Sequence, residues 1–147
     1  MGIVLYNALK IETRSDGLNV TRHSLRFSRL AGRFAVCRLN PSAHVPAWAL
    51  QGEFFSATRT ADELSIVCPA GQVPAEVQHE DDWVCLKLQG PFPFSETGVL
   101  VSFVQPLSDR AIPIFAISTF DTDYVLVKEA WVERTLDVLR DAGHEAA

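Results

Sequence analysis

The sequence predicts an α+β fold made of two small units packed side by side. Three observations carry this. Strand-like and helix-like patterns alternate, the order β-α-β-β occurs twice, and 147 residues are long for one minimal domain yet short for two ordinary ones. With 48% hydrophobic and 21% charged residues, the chain can bury a core and is too apolar to be disordered. Units of about 60 residues bury only about 60% of their unfolded surface, so two of them should lean on one another.

Residues 1–19 start with a short apolar stretch and continue through Thr13-Arg14-Ser15-Asp16-Gly17. They lack the basic start and long apolar run of a signal peptide, and they read as an extension outside the fold. Residues 24–30 alternate, with Leu25 and Phe27 against polar neighbours, as an edge strand does. After a turn at Ala31-Gly32, residues 34–39 form an apolar strand, which Asn40-Pro41-Ser42 breaks. Residues 46–50 read as a short helix with proline in its first turn. Residues 54–59 and 64–68 are strands joined by a polar link of hairpin length. Residues 69–82 hold Pro69, Gly71, Pro74 and the acidic run Glu80-Asp81-Asp82, and read as a linker, with a short strand at Glu76–His79 as the alternative.

The order then recurs. Residues 83–89 form a strand with Val84, Leu86 and Leu88 on one face, followed by the rigid loop Gly90-Pro91-Phe92-Pro93. Ser95 is the expected N-cap of a helix carrying Leu100, Phe103, Val104 and Leu107 at helical spacing, with Pro106 bending its last turn. Residues 112–118 are almost wholly apolar, as for a central strand buried on both faces. Asp121-Thr122-Asp123 turns the chain into a strand at 124–127. A helix at 128–142 places Val132, Leu136 and Leu139 on one stripe and stops at Gly143. This half is ferredoxin-like, βαββαβ without its last strand, and a spare strand from the first half would supply it by exchange.

Composition excludes several functions. Cys37, Cys68 and Cys85 are odd in number and lack C-x-x-C spacing, which argues against a disulfide framework or structural zinc. They sit in apolar runs as buried thiols, and a reducing cytoplasm fits them. A net charge of −5 offers no reason to bind nucleic acid, and no run reaches the roughly 18 apolar residues of a membrane span. His23, His44, His79 and His144 are scattered and read as surface or loop residues. No glycine-rich phosphate loop occurs.

One stretch is specific: Ile112-Pro113-Ile114-Phe115-Ala116-Ile117-Ser118-Thr119-Phe120-Asp121-Thr122-Asp123-Tyr124-Val125-Leu126-Val127. It resembles the strand-turn-strand of tandem ACT-domain proteins related to aspartate kinase regulatory domains, among them the CASTOR amino-acid sensors and small bacterial homologues. Gly32-Arg33-Phe34-Ala35-Val36-Cys37-Arg38-Leu39, Phe54-Phe55-Ser56-Ala57-Thr58-Arg59-Thr60 and Glu63-Leu64-Ser65-Ile66-Val67-Cys68 resemble the bacterial branch. The likeness covers about residues 24–143. It implies ACT units at 20–79 and 80–147, an amino acid or similar small ligand at their interface, no catalysis and no cofactor. A homodimer and a regulated protein partner also belong to that expectation.

In the resembling sensors the amino acid is held by the loop and helix start after a unit's first strand and by the turn after its buried strand. The matching positions here are Glu96, Gly98, Val99, Thr119, Phe120 and Asp123. A helix start leaves N–H groups unpartnered and favours a carboxylate, and Gly98 would let a ligand approach the backbone. Thr119 would supply a hydrogen bond and Phe120 a wall, while Glu96 or Asp123 would pair with an ammonium or guanidinium group. On the residues alone, Ser95 and Glu96 read equally as a plain cap and first-turn acid, and Asp121 and Asp123 as ordinary turn residues. Asp-x-Asp lacks the further ligands and glycine of a calcium loop, so no metal is expected. Two rivals remain: a structural or protein-interaction module whose pocket is filled by its own side chains, and a small enzyme with Glu96 as its general base.

Overall fold

The computed structural model describes residues 9–13 and 19–147, with side chains from Arg22 onward. The strands are β1 (Leu9–Thr13), β2 (Asn19–His23), β3 (Arg26–Arg29), β4 (Phe34–Leu39), β5 (Ser56–Arg59), β6 (Leu64–Pro69), β7 (Gln78–Leu88), β8 (Phe115–Ser118), β9 (Asp123–Lys128) and β10 (Glu145–Ala146). The helices are α1 (Val99–Asp109) and α2 (Val132–Asp141). The chain divides into a discontinuous unit, running up to Arg29 and then over Leu86–Ala147, and an inserted unit, Leu30–Cys85. The architecture is mixed α and β.

In the discontinuous unit the strand order is β10-β3-β7-β9-β8. Phe27 of β3 pairs with Leu88 of β7, Glu145 of β10 runs parallel to Arg26, and β8 and β9 pair from Phe115↔Leu126 to Ser118↔Asp123. The run β7-α1-β8-β9-α2-β10 is a βαββαβ order, with β3 lying between β10 and β7. Phe27 and Phe103 of α1 meet edge to face at 5.3 Å in a core that includes Leu86, Leu88, Leu107, Leu126 and Leu139. Gly143, at φ +89, closes α2. Its N–H bonds the Arg140 carbonyl, and the His144 N–H reaches back to Leu139. Pro106 sits inside α1.

The inserted unit has strand order β7-β4-β6-β5, with full β4–β6 pairing from Phe34↔Pro69 to Leu39↔Leu64. One face buries Ala35, Cys37, Ala49, Leu64, Ile66 and Cys68, and Trp48 packs against them. The helix expected at 46–50 is a four-residue 3₁₀ turn, Ala47–Leu50, capped by Pro46. Four residues without side-chain caps are too few for an α-helix.

Several expectations change. The linker expected at 69–82 is in its second half part of β7, which passes the boundary expected at 79/80. Pairing with β4 recruits the acidic run, whose side chains point to water. The register shifts between Phe34 and Val36, and Asp82 adopts φ 63. The central strand expected at 112–118 is only Phe115–Ser118, half-buried in alternation and paired with β9 alone. Pro113, which lacks an N–H, keeps the segment before it out of the ladder. The central strand is β9, where Val125, Leu126 and Val127 are fully buried. The place beside β7 that a last strand would take is held by β3, a strand from the first half, as the exchange expected, and the two-residue β10 pairs parallel to β3 outside it. The extension expected at 1–19 falls partly on residues 1–8 and 14–18, outside the described residues. Of the rest, Leu9–Thr13 pairs with Asn19–His23.

Candidate functional site

α1 begins later than its sequence suggests. Its N-cap is Gly98, at φ 82 and ψ 0, not Ser95. Glu96 N–H bonds the Pro93 carbonyl in a turn, so the cap position passes to a residue that tolerates the left-handed conformation. The first backbone bond of the helix runs from Ser102 to Gly98 at 2.9 Å, which leaves the N–H groups of Val99, Leu100 and Val101 without helical partners.

Of the six expected site residues, Glu96, Val99, Thr119, Phe120 and Asp123 line one concavity of about 200 Å³ in the discontinuous unit. Gly98 is not among its lining residues and instead sets the helix start. Phe92, Phe94, Ser118 and Asp121 also line it. Three carboxylates and no basic side chain face this space. Phe120 and Phe94 are 79% and 77% exposed and meet edge to face at 5.0 Å on its rim.

Several of the expected polar side chains already have partners or close neighbours. Thr119 Oγ1 donates to the Thr122 carbonyl at 2.9 Å, so the hydroxyl holds its own turn together. Ser118 Oγ donates to Asp123 Oδ1 at 2.5 Å. Glu96 Oε1 lies 3.5 Å from His23 Nδ1.

Sequence reading missed the support behind this wall. His23 and His144, expected at the surface, are 4% and 3% exposed. His23 Nε2 donates to the Thr97 carbonyl at 2.9 Å, and its backbone N–H donates to Ser102 Oγ at 3.0 Å. Ser102 Oγ donates in turn to the Gly98 carbonyl at 2.6 Å. His144 Nε2 donates to the Ser102 carbonyl at 2.9 Å, and Leu25 N–H donates to His144 Nδ1 at 3.1 Å. Burial holds the His144 ring below its ordinary value, partly opposed by its bond to Ser102. Scattered single histidines carry no periodicity, so nothing in the sequence signals this spine. Asp121 and Phe94 had only weak signals: a turn aspartate, and a phenylalanine after Pro93.

The thiols lie elsewhere, buried in the inserted unit. Cys37 is raised by hydrogen bonding to Cys68 and by burial, Cys68 is lowered by that bond, and burial pushes Cys85 up to about 12. No group of three or more His, Cys, Asp or Glu able to hold a metal occurs among the described residues. No described helix is long and apolar enough to cross a membrane.

Comparison with known proteins places this geometry. The ACT-domain family model matches residues 78–141, and a second model, an N-terminal domain, matches residues 32–76. Protein Atu0741 from Agobacterium tumefaciens is 45% identical, with a TM-score of 0.81 over 84% of this chain and 92% of that one. VC0802 from Vibrio cholerae, described as of unknown function and a possible transport protein, is 18% identical, with a TM-score of 0.65 over 82% and 91%. The regulatory subunit of aspartate kinase from Thermus thermophilus is 12% identical, with a TM-score of 0.52 over 76% and 93%, a likeness of fold alone. A search of curated proteins finds no match. ACT domains are typically regulatory and bind small molecules, amino acids above all. With the βαββαβ order, the turn at 119–122 and the model match over the same residues, the chain belongs to the ACT-domain family.

Proposed function

We propose that this protein is a non-catalytic regulatory protein that binds a free amino acid in the concavity between the 92–99 loop and the 118–123 turn. The observation that carries the reading is the meeting of Glu96, Val99, Phe120 and Asp123 around one space. At about 200 Å³ the space lies below the roughly 300–1,000 Å³ of drug-sized sites, so it suits a small ligand. Its three carboxylates favour an ammonium or guanidinium group, and the exposed Phe94 and Phe120 rings would lie along it. The open N–H groups at the start of α1 suit the ligand's carboxylate. A second ACT unit would supply the other wall, and in a homodimer that unit belongs to the second copy. A regulated protein partner and a cytoplasmic setting complete the reading.

Binding should stabilise the fold by about 2.7 kcal/mol at a ligand concentration 100-fold above Kd. For a chain of this size that is a rise of roughly 5–10 °C in melting temperature. A thermal-shift screen of the twenty amino acids should find this rise for one or a few of them. Phe120→Ala, at an exposed position, should leave the ligand-free melting temperature unchanged and shrink the shift. No response to any amino acid at millimolar levels would sink the reading.

The rival reading, a protein-interaction module, draws on the Phe94–Phe120 pair, which is large, apolar and exposed. On that reading Phe120→Ala abolishes partner capture while no amino acid alters the melting curve.

A further inference from the structure

We propose that the discontinuous unit carries a second small-molecule site, beside the first and sharing the Asp121-Thr122 turn, which takes a zwitterion of the free amino-acid class. A concavity of about 410 Å³ is formed there by Ser28, Lys87, Gln89, Gly90, Asp121 and Thr122. That volume falls inside the roughly 300–1,000 Å³ typical of ligand sites.

Strand alternation builds its wall. Ser28 of β3 and Lys87 of β7 are register partners, while their neighbours Phe27, Leu86 and Leu88 are buried in the core. The period of two therefore sends Ser28 and Lys87 to the other face, with Gln89 in step. The backbone beneath is fixed. Gln89 N–H donates to the Arg26 carbonyl at 2.9 Å, Phe92 N–H to the Asp121 carbonyl at 2.8 Å, and Thr122 Oγ1 to the Leu88 carbonyl at 2.7 Å. A Cβ at Gly90 would lie 2.7 Å from the Asp121 carbonyl oxygen, so only glycine lets loop and turn approach this closely.

The charges point to the ligand class. Arg26, Arg29, Arg33, Arg38 and Arg140 each have a carboxylate within ion-pair distance. Lys87, half-buried, and Asp121 make no ion pair or side-chain hydrogen bond among the described residues, and both border this concavity. One cation and one anion facing a common space suit a molecule that carries both signs. A simple anion would meet Asp121, and a simple cation would meet Lys87. A zwitterion can turn its carboxylate to Lys87 and its ammonium to Asp121, leaving Ser28 and Gln89 for polar side-chain atoms. In the first concavity the charged lining residues are all carboxylates, and a ligand carboxylate there would rest on backbone N–H groups rather than on a cation.

The test is an amide-shift titration of the isotopically labelled full chain, with glycine and L-glutamine as probes. Glycinamide and N-acetylglycine, which each keep one charge, are the controls. Both probes should move the amides of Lys87 and Gln89, and neither control should. Lys87→Gln should weaken binding read at Gln89 about 10- to 100-fold and leave any response at Val99 and Phe120 intact. Lys87→Met, which keeps the apolar stem, should do the same. Controls that bind as well as the probes, or affinity unchanged in both variants, overturn this site. Shifts confined to Val99 and Phe120 overturn this site and leave the first. Shifts confined to Lys87 and Gln89 support this site and remove the first, and silence at both sets overturns both.

Discussion

His144 packs its ring against Phe103 at 5.3 Å and uses both nitrogens, one donating to Ser102 and one accepting from Leu25. A proton on Nδ1 would remove that acceptor and place a charge in the core. The folded state therefore binds this proton less readily than the unfolded chain, where the ring titrates near 6.5. Stability should fall as pH drops through that value and level off below the folded value, with a slope of at most about 1.4 kcal/mol per pH unit for one proton. Urea unfolding between pH 7.5 and 5 should show this decline, and His144→Gln should flatten it. A variant as steep as the parent would place the titration elsewhere. Residue by residue, burial and hydrogen-bond occupancy rather than residue type decide these roles: His144 is buried, and the exposed Thr119 carries the right hydroxyl for a ligand yet spends it on Thr122.

Where an element starts decides what its end can do. Gly98 at φ 82 begins α1 three residues after Ser95, which aims the open N–H groups of Val99 onward rather than those of Thr97. Gly98→Ala should cost about 1–2 kcal/mol in unfolding free energy, because a Cβ is disfavoured in the left-handed region. No loss would mean that the turn rearranges freely. Capping also marks where the sequence could be read and where it could not. Helix interiors and the Gly143 stop were legible because periodicity and a terminal glycine are local signals. The start of α1 was not, because Ser95 is the better cap by type and loses to the Pro93–Glu96 turn. Apolar content alone made 112–118 look central, whereas partner number is a property of the sheet and Pro113 restricts it. Five of the six site positions converge because the turn at 119–122 and the loop at 92–96 follow paired strands. Their hydrogen-bond occupancy could not be read from residue types.

At the scale of the whole molecule, all three cysteines lie in the inserted unit and all are buried. Burial raises Cys85, and pairing with Cys68 raises Cys37. A thiol reagent should therefore label less than one cysteine per native chain and three after denaturation. The native labelling rate reports the opening of that unit. Fast labelling without denaturant would mean that the unit opens far more often than its packed face suggests. Chain order matters during synthesis too. β3 needs Leu86–Leu88 on one side and Glu145–Ala146 on the other, and both are made after every residue of the inserted unit. At about 5–20 residues per second, the ribosome would spend roughly 3–12 s between finishing Cys85 and delivering Ala147. Throughout that interval the nascent chain can complete its middle before its beginning, and the edge of β3 that awaits Glu145–Ala146 is what a chaperone would meet.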